Sequence, residues 1–334
     1  LRSLIGQSFR DWVCEVHNDD PTDPVPGRIV AEAGDSRVTM AHHPSNLGPT
    51  KVFNIMYRSC ALERYVSLLE DDNWWGSKFL EVMVREMDRR PTVEVGWSNM
   101  RLWQETGDGE WQDTGTNFWS VTTGESEPIL IGWPHPVYLD CKFLHSQGAM
   151  LVRNERLEEL MVPDDVPCNY VEPMRERKFR FPIMLLPEPL ANFALTIATA
   201  RESNRLRWKQ YQALLLTSYL RYVRLSPDEC RRLWADARSA FRPNTYGFIT
   251  AGLIDGRCRY ILRYSRLIDW LRYAKGFIRR PIESLRLLRA KSLLPHIWDF
   301  LDRATNERTL ERNSAQTVKG LTHCWYRIPS PSAP

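Results

Sequence analysis

The sequence predicts an α/β fold in its front half and a helical extension behind it. Two observations carry the first part. Short apolar runs of strand type alternate with amphipathic helical stretches, and one such run, Val66-Ser67-Leu68-Leu69, delivers the consecutive carboxylates Glu70-Asp71-Asp72 just before Trp74-Trp75. The third observation is a change of pattern after Arg201, where apolar faces recur at helical spacing from Trp208 to Val223.

Taken in order, Trp12 to His17 reads as a strand, and Asn18-Asp19-Asp20-Pro21-Thr22-Asp23 as the polar turn that closes it. After Asp35-Ser36-Arg37-Val38 and the loop His43-Pro44-Ser45-Asn46-Leu47-Gly48, a helix starts at Pro49, because proline suits a first helical position. Phe53, Met56, Tyr57 and Cys60 form its apolar face. The acidic strand follows. The next helix starts near Ser77, turns Leu80, Met83, Val84 and Met87 inward, and stops at Pro91. Asp108-Gly109 is the turn signal of a hairpin tip.

Three adjacent like charges at a strand end repel one another. Hard oxygen ligands suit Mg²⁺ or Mn²⁺, which bind through one or two carboxylates together with a substrate's phosphates. A solvated acidic turn is the other reading of the triplet.

The succession of features resembles the nucleotide-binding half of a family 2 glycosyltransferase, which has the GT-A fold. The family's first turn, Asp-Asp-Gly-Ser-Thr-Asp, is matched by Asn18 to Asp23; its Asn-x-Gly before a helix by Asn46-Leu47-Gly48; its helical asparagine by Asn54; and its metal-binding DXD motif by Glu70-Asp71-Asp72. The likeness covers roughly residues 1 to 185. It departs from the family at Asn18, which replaces the first aspartate, and at Asp20, which replaces the glycine. Family members begin with a strand and a Pro-x-Tyr-Asn-like turn. Leu1 to Arg10 resembles the helix after that turn, so the chain is expected to lack the family's first strand.

The resemblance implies an enzyme that moves a sugar from a nucleotide-diphosphate donor to an acceptor hydroxyl with Mn²⁺ or Mg²⁺ as cofactor, inverting as most members do. Asp72 is then the metal ligand, and Asp71 contacts the metal's waters or the ribose. Glu70 is the weakest assignment of the three and is expected to face the core edge. Asp19, with Arg37 nearby, and Asn46, Gly48 and Asn54 bind the donor. The family's general base follows a segment like Gly148 to Arg153. Its usual Glu-Asp pair is missing, which leaves Glu172 as first choice, Asp165 second and Asp164 third. Glu172 has an alternative role as a salt-bridge partner of Arg175. Trp97, Trp103, Trp111, Trp119 and Trp133 are either core residues or part of an acceptor platform, and His145 either lines the acceptor pocket or packs. The acceptor class is a saccharide or a lipid-linked sugar. The rival reading is a non-catalytic GT-A-like binding or scaffold module.

The 334 residues, 43% hydrophobic and 26% charged, have an ordinary globular composition. No apolar run approaches the roughly 20 residues of a membrane span. Seven scattered cysteines without CxxC spacing argue against structural zinc or a disulfide framework and for reduced, cytoplasmic thiols. Residues 257–291 hold eleven Lys/Arg against two Asp/Glu, a net of +9, whereas the whole chain is +4. Tyr260, Ile261, Tyr264, Leu267, Ile268, Leu271 and Ala274 fall there at helical intervals. Such a helix packs on the catalytic domain or lies on the inner face of an anionic membrane. No RNA- or DNA-binding signature accompanies it, so nucleic acid is not expected as a partner. The expected organisation is a GT-A domain over 1–185, a helical, partly basic extension over 186–327, and a disordered tail over 328–334.

Overall fold

The structure, a computed structural model, describes residues 1–59, 62–107, 110–118, 127–131, 146–176, 183–196, 205–223, 225–239 and 245–311. The expectations for Cys60, Asp108-Gly109, Trp119, Trp133, His145 and the 328–334 tail fall outside these residues.

After the short helix α1 (Arg2–Ile5), strand β1 (Cys14–Asn18) pairs in parallel with β2 (Val38–His42). Parallel neighbours need a crossover, and α2 (Val25–Ala33) supplies it. Helix α3 (Pro49–Ser59) starts at the expected proline and buries Val52, Phe53 and Tyr57. Next come β3 (Tyr65–Val66), β4 (Trp74–Trp75) and α4 (Phe79–Asp88), which buries Leu80, Met83 and Met87 as its spacing predicts. The strands β5 (Val95–Glu105), β6 (Trp111–Asn117), β7 (Ile129–Ile131), β8 (Met150–Arg153) and β9 (Ile183–Leu195) complete a second sheet, and α5 (Val171–Glu176) lies between its last two strands in sequence.

This sheet has seven strands in the order β3-β8-β5-β9-β4, with β6 paired to β5 and β7 to β9. It is mixed: β5 and β9 run parallel and the other pairs are antiparallel. The domain boundary expected at 185 falls inside β9, which continues to Leu195, and the next helix among the described residues is Arg205–Val223. Pro187 and Pro189 mask this strand in the sequence. Proline cannot donate to a ladder, and the β5–β9 register slips on both sides of the Asn99–Pro189 pair. The Asn99 amide donates to the Pro187 carbonyl at 3.1 Å across that irregularity.

The rest of the described chain is helical: α6 (Arg205–Val223), α7 (Pro227–Ser239), α8 (Thr245–Ile254), α9 (Leu267–Arg279), α10 (Pro281–Leu288), α11 (Ala290–Leu293) and α12 (Pro295–Glu311). Helix α6 belongs to two cores. Tyr211, Leu214 and Leu215 join the sheet's core, together with Ile297 and Leu301 of α12. Leu216, Tyr219 and Leu220 join a second core with Trp234, Phe248, Ile249 and Ile261. None of the helices among the described residues is long and apolar enough to cross a membrane.

The basic segment is not the single helix its spacing suggested. Residues Gly256–Tyr264 form a 3₁₀ stretch that buries Cys258 and Ile261, and α9 starts afresh after Ser265 and Arg266. The break is fixed by Asp269. Its fully buried carboxylate accepts from Arg238 Nη2 at 2.7 Å and from the backbone N–H of Arg266 at 2.8 Å. Burial opposes the charge, but these hydrogen bonds outweigh it and hold the Asp269 pKa below its ordinary value. Removing one member of such a buried pair costs about 3–5 kcal/mol. Asp269→Asn is therefore expected to lower urea-unfolding stability by about 3 kcal/mol near neutral pH. A depressed carboxylate stabilises above its unfolded pKa, so the gap to wild type should close as pH falls through the carboxylate range. A variant as stable as wild type at neutral pH would contradict this assignment.

Candidate active site

The acidic triplet ends the segment that leaves β3, and its first member is built into the structure. Glu70 accepts from Asn73 Nδ2 at 2.6 Å, from the Ser146 hydroxyl, and from the Gly148 backbone N–H at 3.3 Å. Burial, partly offset by these bonds and reinforced by the Asp72 charge, pushes its pKa up. Asn73 also receives the Ala194 N–H at 3.0 Å, and Trp75 Nε1 donates to the Gly148 carbonyl at 2.5 Å. Glu70 thus faces inward, toward the Ser146–Gly148 turn.

Asp71 is exposed and Asp72 half-buried. Burial, followed by the neighbouring Asp71 charge, raises the Asp72 pKa. No cluster of three or more metal-ligating side chains exists among the described residues. The donor set is instead two adjacent carboxylates of which one is partly desolvated. It fits a hard divalent ion that completes its shell with water and phosphate oxygens.

The turn opposite the triplet is strained. Ser146 has φ 40°, the only positive value for a non-glycine residue among the described ones. A Cβ on Gly148 would sit 3.1 Å from Glu70 Oε2 and 3.2 Å from the Ser146 hydroxyl, so the turn and the carboxylate fit each other without room for a larger residue. Between them, Gln147 accepts through Oε1 from Tyr57 Oη at 3.0 Å and from Arg175 Nη1. The buried Arg175 also donates from Nε to the Leu160 carbonyl at 2.5 Å, lies 4.7 Å over the Tyr57 ring, and leaves Nη2 without a hydrogen-bond partner among the described residues.

Glu172 opens α5, one turn before Arg175. Its pKa is raised to about 7, mainly by burial; Arg175 pulls it down, Glu70 pushes it up, and Gln147 favours the ionised form. The nearby Cys168 thiol is pushed up to about 12, by burial first and then by Glu172 and Glu70. These mutual influences place Glu70, Asp72, Glu172, Arg175 and Gln147 in one charged neighbourhood. The salt-bridge alternative for Glu172 takes a weaker form, because the hydrogen bonds of Arg175 go to Leu160 and Gln147.

The other expected residues lie as follows. Asp19 binds the loop before α3 and accepts from the N–H groups of Leu47 at 2.8 Å and Gly48 at 2.9 Å. Gly48 has φ 83°, a conformation that only glycine adopts freely. Asn46 is exposed on the same loop. The buried Asn54 donates to the Val162 carbonyl at 2.7 Å and to Asp164 at 2.8 Å, so it ties α3 to the 162–164 loop. Arg37 is not near Asp19. It directly precedes β2 at the opposite end of the parallel pair, bonds Asp35 with two side-chain nitrogens, and stacks 3.6 Å over Trp12. Asp165 pairs with His296 of α12 at 2.7 Å on an exposed edge, apart from the bonds that build the turn. Trp97 is core, whereas the half-buried Trp74 lies 5.4 Å from Trp103 and 6.1 Å from Trp111.

The sequence reading overlooked Asn73, Ser146, Gln147 and the buried role of Arg175. Only Asn73 had a local signal, its place directly after the acidic triplet.

A glutamate whose charge is opposed by burial stabilises the fold when neutral. Between its ordinary 4.5 and about 7 the native state holds a proton that the unfolded chain has released, so stability falls as pH rises through this window. Glu172→Gln should therefore melt at a higher temperature than wild type, with the gain larger at about pH 8 than at about pH 5. Equal melting curves at both values would mean that Glu172 is solvated.

The family model described as Glycosyl transferase family 2 matches residues 1–148. Among solved structures, S. aureus TarS 1-349 in complex with UDP-GlcNAc matches at TM-score 0.53 and 13% identity, covering 93% of this chain and 85% of that one. The same protein in complex with UDP matches at 0.51 and 12%, covering 95% and 87%. A mannosyltransferase from Pyrobaculum calidifontis, solved with GDP-Man and Mn²⁺, matches at 0.43 and 14%, covering 93% and 82%, which is too loose for a site comparison. No curated protein sequence matches the chain. The likeness to TarS extends the GT-A-like fold over nearly the whole chain, with its mixed sheet and helical rear. The front of this chain, residues 1–148, is thus similar to family 2 glycosyltransferases.

Proposed function

We propose that the chain transfers a sugar from a nucleotide-diphosphate donor to an acceptor hydroxyl, with a divalent ion at Asp72 and Asp71 and with inversion at the anomeric carbon. The observation that carries this reading is the charged neighbourhood itself. Two adjacent carboxylates, of which Asp72 is partly desolvated, follow Glu70, and a glutamate raised to about 7 shares the Ser146–Gly148 turn's surroundings.

Bound to Asp72 and Asp71, Mn²⁺ or Mg²⁺ would supply Lewis-acid stabilisation of the leaving diphosphate. The protein's own part is to orient and to move a proton. Glu172 takes the proton of the acceptor hydroxyl as its oxygen bonds to the anomeric carbon, while the bond from that carbon to the diphosphate oxygen breaks on the opposite face. A base poised near neutral pH balances availability against proton affinity. Arg175 Nη2, buried and without a hydrogen-bond partner among the described residues, offers one more cationic N–H beside Glu172. The loop held by Asp19 carries Asn46 and Gly48, the positions proposed to line the donor; Asn54 acts from beneath by holding the 162–164 loop. Arg37 supports β2, and Asp165 remains the second choice of base. Trp74, Trp103 and Trp111 offer aromatic faces to an acceptor sugar, free or lipid-linked.

Three outcomes test this reading. Asp72→Asn keeps the side chain's shape but weakens a hard anionic ligand, so metal-dependent nucleotide binding and transfer should both disappear while the melting temperature holds or rises. Retained transfer at saturating Mn²⁺ would sink the metal assignment. Glu172→Gln should cost on the order of 10²- to 10⁴-fold in kcat with donor affinity unchanged. A loss below about tenfold would move the base to Asp165. In wild type, kcat should climb as pH rises toward about 7 and level off above it, since the base must be ionised. A profile flat from about pH 5 upward would exclude Glu172.

A further inference from the structure

Helix α9 is apolar on two opposite sides. Asp269 and Tyr273 face the helical core. Leu267, Leu271, Ala274 and Ile278, spaced to share one helical face, point to solvent: Leu267 is 76%, Leu271 56% and Ile278 78% exposed. Arg272, Lys275 and Arg279, all exposed, run beside this stripe. Helix α10 continues the pattern with Ile282, 70% exposed, and Leu285, next to the exposed Arg286 and Arg289.

Cations outnumber carboxylates eleven to two over 257–291. The two carboxylates of 257–291 are both spent internally, Asp269 on Arg238 and Glu283 on Lys209 at 2.5 Å and Arg280 at 3.8 Å. The preceding 3₁₀ stretch carries Arg257, Arg259 and Arg263, which line an open depression of about 350 Å³ with Gly256 and Tyr260. A stripe of large apolar side chains with a cationic flank is costly to leave in water.

We propose that α9 and α10 form an interfacial face that lies on an anionic lipid bilayer, with the Leu267-Leu271-Ala274-Ile278 stripe in the acyl boundary and the arginines and lysine at the level of the phosphates. An anionic bilayer satisfies both halves of the pattern at once. A second copy would bring like charges face to face, and a nucleic acid would leave the leucines and isoleucines unused. The proposal does not depend on the transfer reaction.

The test is co-sedimentation of the full chain with phosphatidylcholine vesicles, with and without phosphatidylglycerol, at low and high salt. Wild type should bind the anionic vesicles, bind the neutral ones much less, and let go at high salt. Leu271→Asn with Ile278→Asn should weaken binding at least tenfold while circular dichroism and melting temperature stay at wild-type values, because both side chains are exposed. Neutralising Arg272, Lys275 and Arg279 to glutamine should weaken it by about fivefold per residue. No wild-type binding at low salt would overturn the proposal, as would binding indifferent to the apolar substitutions. A wild-type dimer in light scattering that Leu271→Asn dissolves would overturn it in favour of self-association.

Discussion

The carboxylate of Glu70 accepts from Asn73, Ser146 and Gly148, three groups that belong to two distant stretches of chain. Through Asn73 it is linked to β9, and through the turn it fixes Gln147, which receives Tyr57 from α3 and Arg175 from α5. The direction in which Asp71 and Asp72 leave the sheet and the depth of Glu172 both follow from this knot. Hydrogen bonds to an ionised acceptor are roughly twice as strong as neutral ones. Several such bonds are what offsets the desolvation of a buried carboxylate, and a partial set would leave it unsatisfied.

Helix α6 joins the helical rear to this site. It sends Tyr211 against Tyr170, with ring centroids 4.7 Å apart, and the Tyr170 hydroxyl donates to the Trp208 carbonyl at 2.6 Å. Its other face holds the second core of α7, α8 and the 3₁₀ stretch. Tyr170 is two residues from Glu172, so the packing of the rear region sets the position of the proposed base. Helix α9 is attached to the same rear region through Tyr273 and the Asp269–Arg238 pair, and its outer face is left to solvent.

The features legible in the sequence were those with a local physical cause. Helices α3 and α4 announce themselves through apolar spacing, the turn after β1 through its polar run, and the acidic strand end through charge that needs compensation. Strand β9 was hidden because its two prolines are breakers in isolation, and only the irregular register with β5 accommodates them. The basic segment was read as one helix because periodicity cannot reveal that Asp269 is buried and caps a new start. The roles of Ser146 and Gln147 and the buried role of Arg175 could not be found, since they exist only when residues 70, 146 and 175 meet in space. Arg37 misled for the mirror reason: it is close to Asp19 in order, yet the five-residue parallel strands put the two at opposite ends of the sheet.

The claim that one coupled set of carboxylates forms the site is open to direct observation. With ¹³C-labelled glutamate, the side-chain carboxyl resonance of Glu172, assigned by comparison with Glu172→Gln, can be followed against pH in wild type and in Glu70→Gln. A midpoint near 7 in wild type that moves down once the Glu70 charge is removed is the predicted result, since burial sets the main shift and Glu70 adds to it. A wild-type midpoint at the ordinary glutamate value of 4.5, or one that ignores Glu70, would contradict the account.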